Sequence, residues 1–188
     1  MARPRTIDRE RVLKSAEQLV QRAGATAMTL EAVAKEAGIT KGGLQYCFGS
    51  KDDLITALID RWFAAFDCEV KEYSQSDDSP AGEARAYVQA SSQIDDATSA
   101  RIVGMLVTLL QSPNHLKKIQ AWYARWMEKN LGQSEEARHI RTMLFAAEGA
   151  FFLRSLGFIK MSESEWATVF DDIKKLVPSA QAGRASFK

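Results

Sequence analysis

The stretch Thr29–Leu54, TLEAVAKEAGITKGGLQYCFGSKDDL, decides the fold. Thr29 stands before Leu30 and Val33, apolar residues at helical spacing, so it can cap a short helix. Gly38 follows the last residues of that period and suits the left-handed turn that closes a helix. Thr40 can cap a second helix with Leu44 and Cys47 on its inner face. Ser50-Lys51-Asp52-Asp53 then resembles a capping box that opens a third. Two short helices joined by a glycine-containing turn form a helix-turn-helix, in which the second helix enters the DNA major groove.

The outward residues of this stretch suit duplex DNA. Thr29 and Thr40 sit at helix starts, where hydroxyls and free backbone N–H groups can bind phosphate. Lys41 adds charge beside them, and Lys51 lies near the same backbone. Gly42 and Gly43 are poor helix formers, each costing up to about 1 kcal/mol relative to alanine. Close approach of backbone to DNA would explain the pair. Gln45 carries an amide that can read an adenine edge, and the Tyr46 hydroxyl can reach a phosphate. An ordinary helical hairpin with a polar face would share the periodicity, but not this coincidence of glycines, caps and lysines.

At these residues the chain resembles the TetR (tetracycline-repressor-like) family of bacterial transcription regulators. The resemblance is carried by Ala34-Lys35-Glu36-Ala37-Gly38-Ile39-Thr40-Lys41-Gly42 and by Leu44, Phe48, Ser50, Lys51 and Leu54, and covers about residues 7–60. It implies that Thr29, Thr40, Lys41, Gly42, Gly43 and Lys51 face DNA. Two positions depart from the pattern. The family usually has tyrosine where Gln45 stands and often histidine where Cys47 stands, and both usual residues tend to touch phosphate. Tyr46, one position on, is expected to take over the phosphate contact while Gln45 turns to a base.

Upstream, Arg3 and Arg5 flank Pro4 in a short basic arm that can lie along DNA or be a disordered start. A first helix follows from Asp8 to about Ala23, with Val12, Leu13, Ala16, Leu19 and Val20 inward and Gly24 at its end. Downstream, a long helix from Lys51 to about Tyr73 carries Leu54, Leu58, Trp62 and Phe66 at one-turn spacing. Its start belongs to the DNA module and its end to a second body, so it can pass a shift between them. Ser74 to Gly82 reads as a loop. The expectation is an all-α chain of about nine helices, with a helix-turn-helix DNA-binding domain over residues 1–50 and a ligand-binding and dimerisation domain over 51–188. Further helices are expected near 82–93, 95–111, 114–131, 134–157 and 163–177, with a disordered tail from Pro178.

The last two helices are expected to form the contact of a homodimer. One mixes small and large residues (Met143, Ala146, Ala147, Gly149, Ala150, Phe151); the other carries Trp166, Val169, Phe170, Ile173 and Leu176. Family resemblance implies a four-helix bundle from this pair, and two-fold symmetry implies an inverted-repeat operator. Aromatic-rich faces at Trp62, Phe66, Met105, Trp122 and Trp126 are the candidate ligand site for a small, largely apolar effector, although such spacing also describes plain core. Trp122 and Trp126, four residues apart, could hold a lipophilic cation beside a carboxylate. Glu148 offers one, but an acidic residue followed by glycine is common here in the family, which favours a dimer-interface role. His115 reads as a helix-start or surface residue.

Composition bounds these readings. A chain of 188 residues can bury a real core, and no run approaches the roughly 18 apolar residues of a membrane span. The basic N-terminus lacks the apolar core of a signal peptide, and Cys47 and Cys68 lack metal-ligand spacing. A cytoplasmic protein with both cysteines in packing roles is expected. Residues 1–51 carry net charge +4 and residues 52–188 carry −3, a basic module on a mildly acidic body. His115 and His139 form no triad or metal pair, and no phosphate-cradling glycine loop is present, so an enzyme, a metal and a cofactor are not expected. The expected function is a ligand-responsive regulator of transcription, probing double-stranded operator DNA as a repressor, with an efflux pump gene as a target by analogy. An activator, a ligand-independent or architectural DNA-binding protein, and a helical binding protein that has lost DNA affinity are the rivals.

Overall fold

The computed structural model describes residues 7–24, 27–95, 98–99, 102, 106 and 112–177. Among them eight helices are bounded: α1 (Arg9–Ala23), α2 (Leu30–Ala37), α3 (Lys41–Phe48), α4 (Lys51–Tyr73), α5 (Pro80–Ser92), α6 (Pro113–Glu128), α7 (Glu135–Ser155) and α8 (Glu163–Lys175). Thr98, Ser99, Ile102 and Leu106 are also helical. The arm with Arg3 and Arg5, most of the helix expected near 95–111, and the tail lie outside the described residues. None of the described helices is long and apolar enough to cross a membrane.

The caps expected around the turn are in place. Asp8 accepts from the Glu10 and Arg11 N–H groups, Thr29 from Ala32 and Thr40 from Gly43. Gly38 closes α2 at φ +67°, the left-handed region that a side chain strains to reach. Ser50 and Asp53 form the reciprocal capping box of α4. One boundary differs from expectation: Pro80 to Gly82 belong to α5, not to the loop. Ser79 caps that helix, and Pro80, which has no N–H to lose, opens its first turn.

Two apolar cores follow. The first joins Val12, Ala16 and Leu19 of α1, Val33 and Ala37 of α2, Leu44 and Phe48 of α3, and Leu54, Ile55, Leu58 and Ile59 of α4. The second joins Tyr87 and Val88 of α5, Trp122 and Trp126 of α6, Ile140, Met143, Leu144 and Ala147 of α7, and Trp166, Phe170 and Ile173 of α8. Phe63 and Tyr123 pack against both. Cys47 is half-buried as a packing residue should be, but Cys68 is exposed, because it falls on the outward side of α4.

The residues read as a dimer contact divide by face. Met143, Ala147, Phe151, Trp166, Phe170 and Ile173 are buried within the chain's own second core. The apolar side chains left outward on α7 and beyond are Phe145 (65% exposed), Leu153, Leu156 and Phe158, with Leu176 after α8. A Cβ added to the exposed Gly149 would meet nothing within 4 Å. A one-dimensional list of apolar residues could not tell these faces apart.

Candidate functional site

The candidate DNA face is built by α2 and α3. Thr29, Thr40, Lys41, Gly42, Gln45, Tyr46 and Lys51 are all exposed, Tyr46 at 91%, while Gly43 is half-buried. Leu44 and Phe48 hold α3 down from its other side. Lys41 pairs with Glu31 across the turn at 3.3 Å, both side chains exposed. Such a pair is worth at most about 1 kcal/mol and yields readily to a phosphate. The two glycines have different reasons. A Cβ on Gly42 would meet no atom, leaving its backbone open to approach from outside. One on Gly43 would stand 2.8 Å from Ile7 Cδ1 and 3.2 Å from Thr40 Oγ1, so it would displace the tip of Ile7 and crowd the capping hydroxyl.

Contacts invisible to a motif reading brace this face. Arg9 donates to the Cys47 carbonyl near the end of α3 and lies 4.2 Å over the Phe48 ring. A cation at a helix C-terminus also complements the helix dipole. Arg22 forks onto Glu36 at 3.2 and 2.8 Å, joining α1 to α2 and holding the Glu36 carboxyl below its ordinary range. His115, expected at a helix start or the surface, is at the start of α6 but buried. Its Nε2 lies 3.3 Å from the Asp52 carbonyl oxygen in the first turn of α4.

The second site is an apolar cavity of about 110 Å³ among α4, α5, α6 and α7. Of the residues expected to bind ligand, Trp62, Phe66 and Trp122 line it. Trp126 does not; it stands behind Tyr87, ring centroids 4.8 Å apart, with Lys129 Nζ 5.5 Å from its own ring. Met105 lies outside the described residues. Trp122 stacks on Phe63 at 4.5 Å and is fixed by its N–H to Asp67 (3.0 Å), which also receives Arg125.

Glu148 is the polar centre of this cavity. Its carboxylate accepts from the Tyr87 hydroxyl on one oxygen and from the Tyr123 hydroxyl on the other, the latter at 2.6 Å. Burial raises its pKa above the ordinary carboxylate value, and the two hydroxyl donors pull it back only in part. Burial, then the Glu148 charge, pushes both tyrosines up. The carboxylate expected at a dimer interface thus lines the cavity within the protomer, on α7 between the buried Leu144 and Phe151. A signal was present, since Glu148 is the single charge in the run Met143–Leu153. Tyr87, by contrast, had no distinguishing pattern around it.

Similarity to known proteins runs along most of the chain. Residues 12–58 match the family model described as bacterial regulatory proteins, tetR family, and residues 81–178 match tetracyclin repressor-like, C-terminal domain. No curated protein sequence matches. Solved structures match over most of the chain. A transcriptional regulator from Rhodococcus sp. Rha1 has a TM-score of 0.73 at 16% identity, covering 90% of this chain and 95% of that one. A TetR transcription regulator from Haloarcula marismortui gives 0.72 at 14%, covering 90% and 95%. The multidrug binding protein EbrR, solved with malachite green, gives 0.64 at 20%, covering 91% and 98%. At such identities these structures establish the fold.

Proposed function

The chain belongs to the tetR family of bacterial transcriptional regulators, and we propose that it is a repressor released from an inverted-repeat operator by a small, largely apolar cation. The observation that carries the effector class is Glu148, a buried carboxylate in an aromatic-walled cavity. A cation entering there gains the carboxylate and the faces of Trp62, Phe66 and Trp122 together. The complex of the multidrug binding protein EbrR with malachite green, an aromatic cation, supports the same class, and an exporter gene is proposed as the target by analogy alone.

The cycle has two states. The reading head of residues 1–50 and the body of residues 51–188 share α4. DNA is held by Thr29, Thr40, Lys41, Gly42, Gly43, Tyr46 and Lys51 on phosphates, with Gln45 on a base edge. Drug-sized ligands occupy pockets of about 300–1,000 Å³, so a multi-ring cation has to open the cavity by moving its walls. Those walls include α4, and its displacement changes the separation of the two reading heads in a homodimer. Phe145 and Leu153 on α7, Leu156 just after it and Leu176 after α8 supply the exposed apolar face for that dimer.

The test is a binding titration of the protein on duplex DNA flanking its own gene, at several salt concentrations, with and without malachite green. The expected result is a sequence-specific complex that the dye dissociates. No preference over random duplex at about 150 mM salt sinks the operator-reading repressor and favours an architectural DNA-binding protein. Tightening by dye overturns release as the mechanism, and indifference to every cation tried leaves the ligand-independent reading.

A further inference from the structure

We propose that Trp62 transmits the state of the cavity to the DNA-reading head through its hydrogen bond to Glu17. The inference rests on the cavity being the effector site and names how that site is coupled.

Trp62 belongs to two spaces at once. Together with Phe66, Ile94 and Ile102 it borders both the apolar cavity and a neighbouring groove along α1. A ligand larger than the cavity's roughly 110 Å³ has to push wall side chains outward. Trp62 cannot yield without consequence. Its indole N–H donates to Glu17 Oε1 of α1 at 2.9 Å.

The same carboxylate oxygen receives Arg61 Nε at 3.1 Å, and Arg61 also pairs with Glu10, seven residues earlier on α1. Residues 10 and 17 lie on one face of α1, two turns apart. Two successive residues of α4 thus grip α1 at two points. The rest of α1 is tied into the head: Arg22 forks onto Glu36 of α2, and Arg9 holds the Cys47 carbonyl at the end of α3. Movement of α1 therefore reorients both helices of the helix-turn-helix. α1 and the base of α4 share the first core, and Trp62 packs against its edge. The Trp62–Glu17 bond adds a polar tie from the cavity wall to α1 beside that shared packing.

The full-length protein is tested with its own operator duplex and malachite green as the probe. The set is wild type, Trp62→Phe, Glu17→Ala, their double variant, Glu17→Gln, and Tyr73→Phe as a control on the same helix. Circular dichroism checks folding, absorbance follows dye binding, and fluorescence anisotropy gives operator affinity with and without dye. Without dye, Trp62→Phe and Glu17→Ala are expected to shift operator affinity about fivefold or more. The double variant does no more than Glu17→Ala alone, because both substitutions remove one shared contact. With dye bound, the single variants lose about tenfold of the dye's effect on DNA. Glu17→Gln, whose amide oxygen still accepts from the indole, recovers most of it. The relay is overturned by single variants within twofold of wild type, by effects that add as if independent, or by a Trp62→Phe protein that releases DNA on dye binding as wild type does. A wild type that binds operator but no dye sinks the effector reading instead, and the dye-free arm then decides the relay.

Discussion

Glu148 shows how much one residue can decide. A carboxylate walled by aromatic rings is held above its ordinary pKa by burial, and a permanent cation beside it reverses that effect by favouring the charged form. Binding of tetraphenylphosphonium should therefore release a proton, and its affinity should rise with pH through the Glu148 titration and level off above it. Among the described residues, the titratable groups hydrogen-bonded to Glu148 are Tyr87 and Tyr123, both pushed further above neutrality, so they stay protonated through this window. Calorimetry in buffers of different ionisation enthalpy would read the proton directly. In Glu148→Gln the profile should be flat and the affinity about 30-fold lower, roughly 2 kcal/mol. The same shift has a stability sign. A raised folded-state pKa means that the carboxyl's contribution is complete below its ordinary pKa and is lost as pH rises through the folded value. The melting temperature of Glu148→Gln should accordingly gain on wild type between pH 4 and pH 8, by about 2–4 °C per kcal/mol.

Among the elements, α4 and α8 begin with the same device, a serine and an acid three residues on that cap each other's backbone. Removing either serine costs about 1 kcal/mol, so Ser50→Ala and Ser162→Ala should lower the melting temperature by similar amounts. Their effect on DNA should differ. The first turn of α4 carries Lys51 beside the reading head, and Asp52 there meets His115 of α6. Ser50→Ala should weaken operator binding several-fold, whereas Ser162→Ala, at the opposite body, should leave it within twofold. Equal effects on operator binding would mean that overall stability, and not the set of the α4 start, controls the head. Asp60 and Asp67 extend the link along α4, pairing with Lys118 and Arg125 of α6. The helix that carries Trp122 and Tyr123 is thus tied to α4 near both the head and the cavity.

At the scale of the whole molecule, the proposed homodimer would read one half-site with each protomer. A two-fold dimer places its recognition helices about 34–36 Å apart, one turn of the duplex. Phe145→Lys with Leu153→Lys should break the dimer without touching the core, because both side chains are exposed in the protomer. Light scattering should then report a monomer with an unchanged circular dichroism spectrum. Its operator affinity should fall by two orders of magnitude or more, while binding to a single half-site remains. A dimer surviving these changes would place the interface elsewhere. Lys41→Ala and Lys51→Ala should each reduce the salt slope of binding by about one, uniformly across sequences, whereas Gln45→Ala should relax preference at a single base pair.

Local chemistry was enough for the reading head. The caps Thr29, Thr40 and Ser50, the glycine at Gly38 and the period of Leu30, Val33, Leu44 and Phe48 act over three or four residues, and such short-range rules are written directly in the order of residues. The helical class of the second body and most of its boundaries were legible for the same reason, with Pro80 misread only because a proline can equally end a loop or open a helix. Which way a side chain faces in a bundle is a different kind of fact. Apolar residues on α7 had to be divided between Met143 and Ala147 inside and Phe145 and Leu153 outside, and that division depends on where α5 and α8 lie. Glu148 acquired its partners from residues 61 and 25 positions away, Trp62 from one 45 positions away. Long-range contacts of this kind depend on the docking of whole helices, which no local period encodes. Sequence therefore determined that the chain reads DNA by a helix-turn-helix on an α-helical body, and tertiary structure decided where its cavity lies and which residues join that cavity to the head.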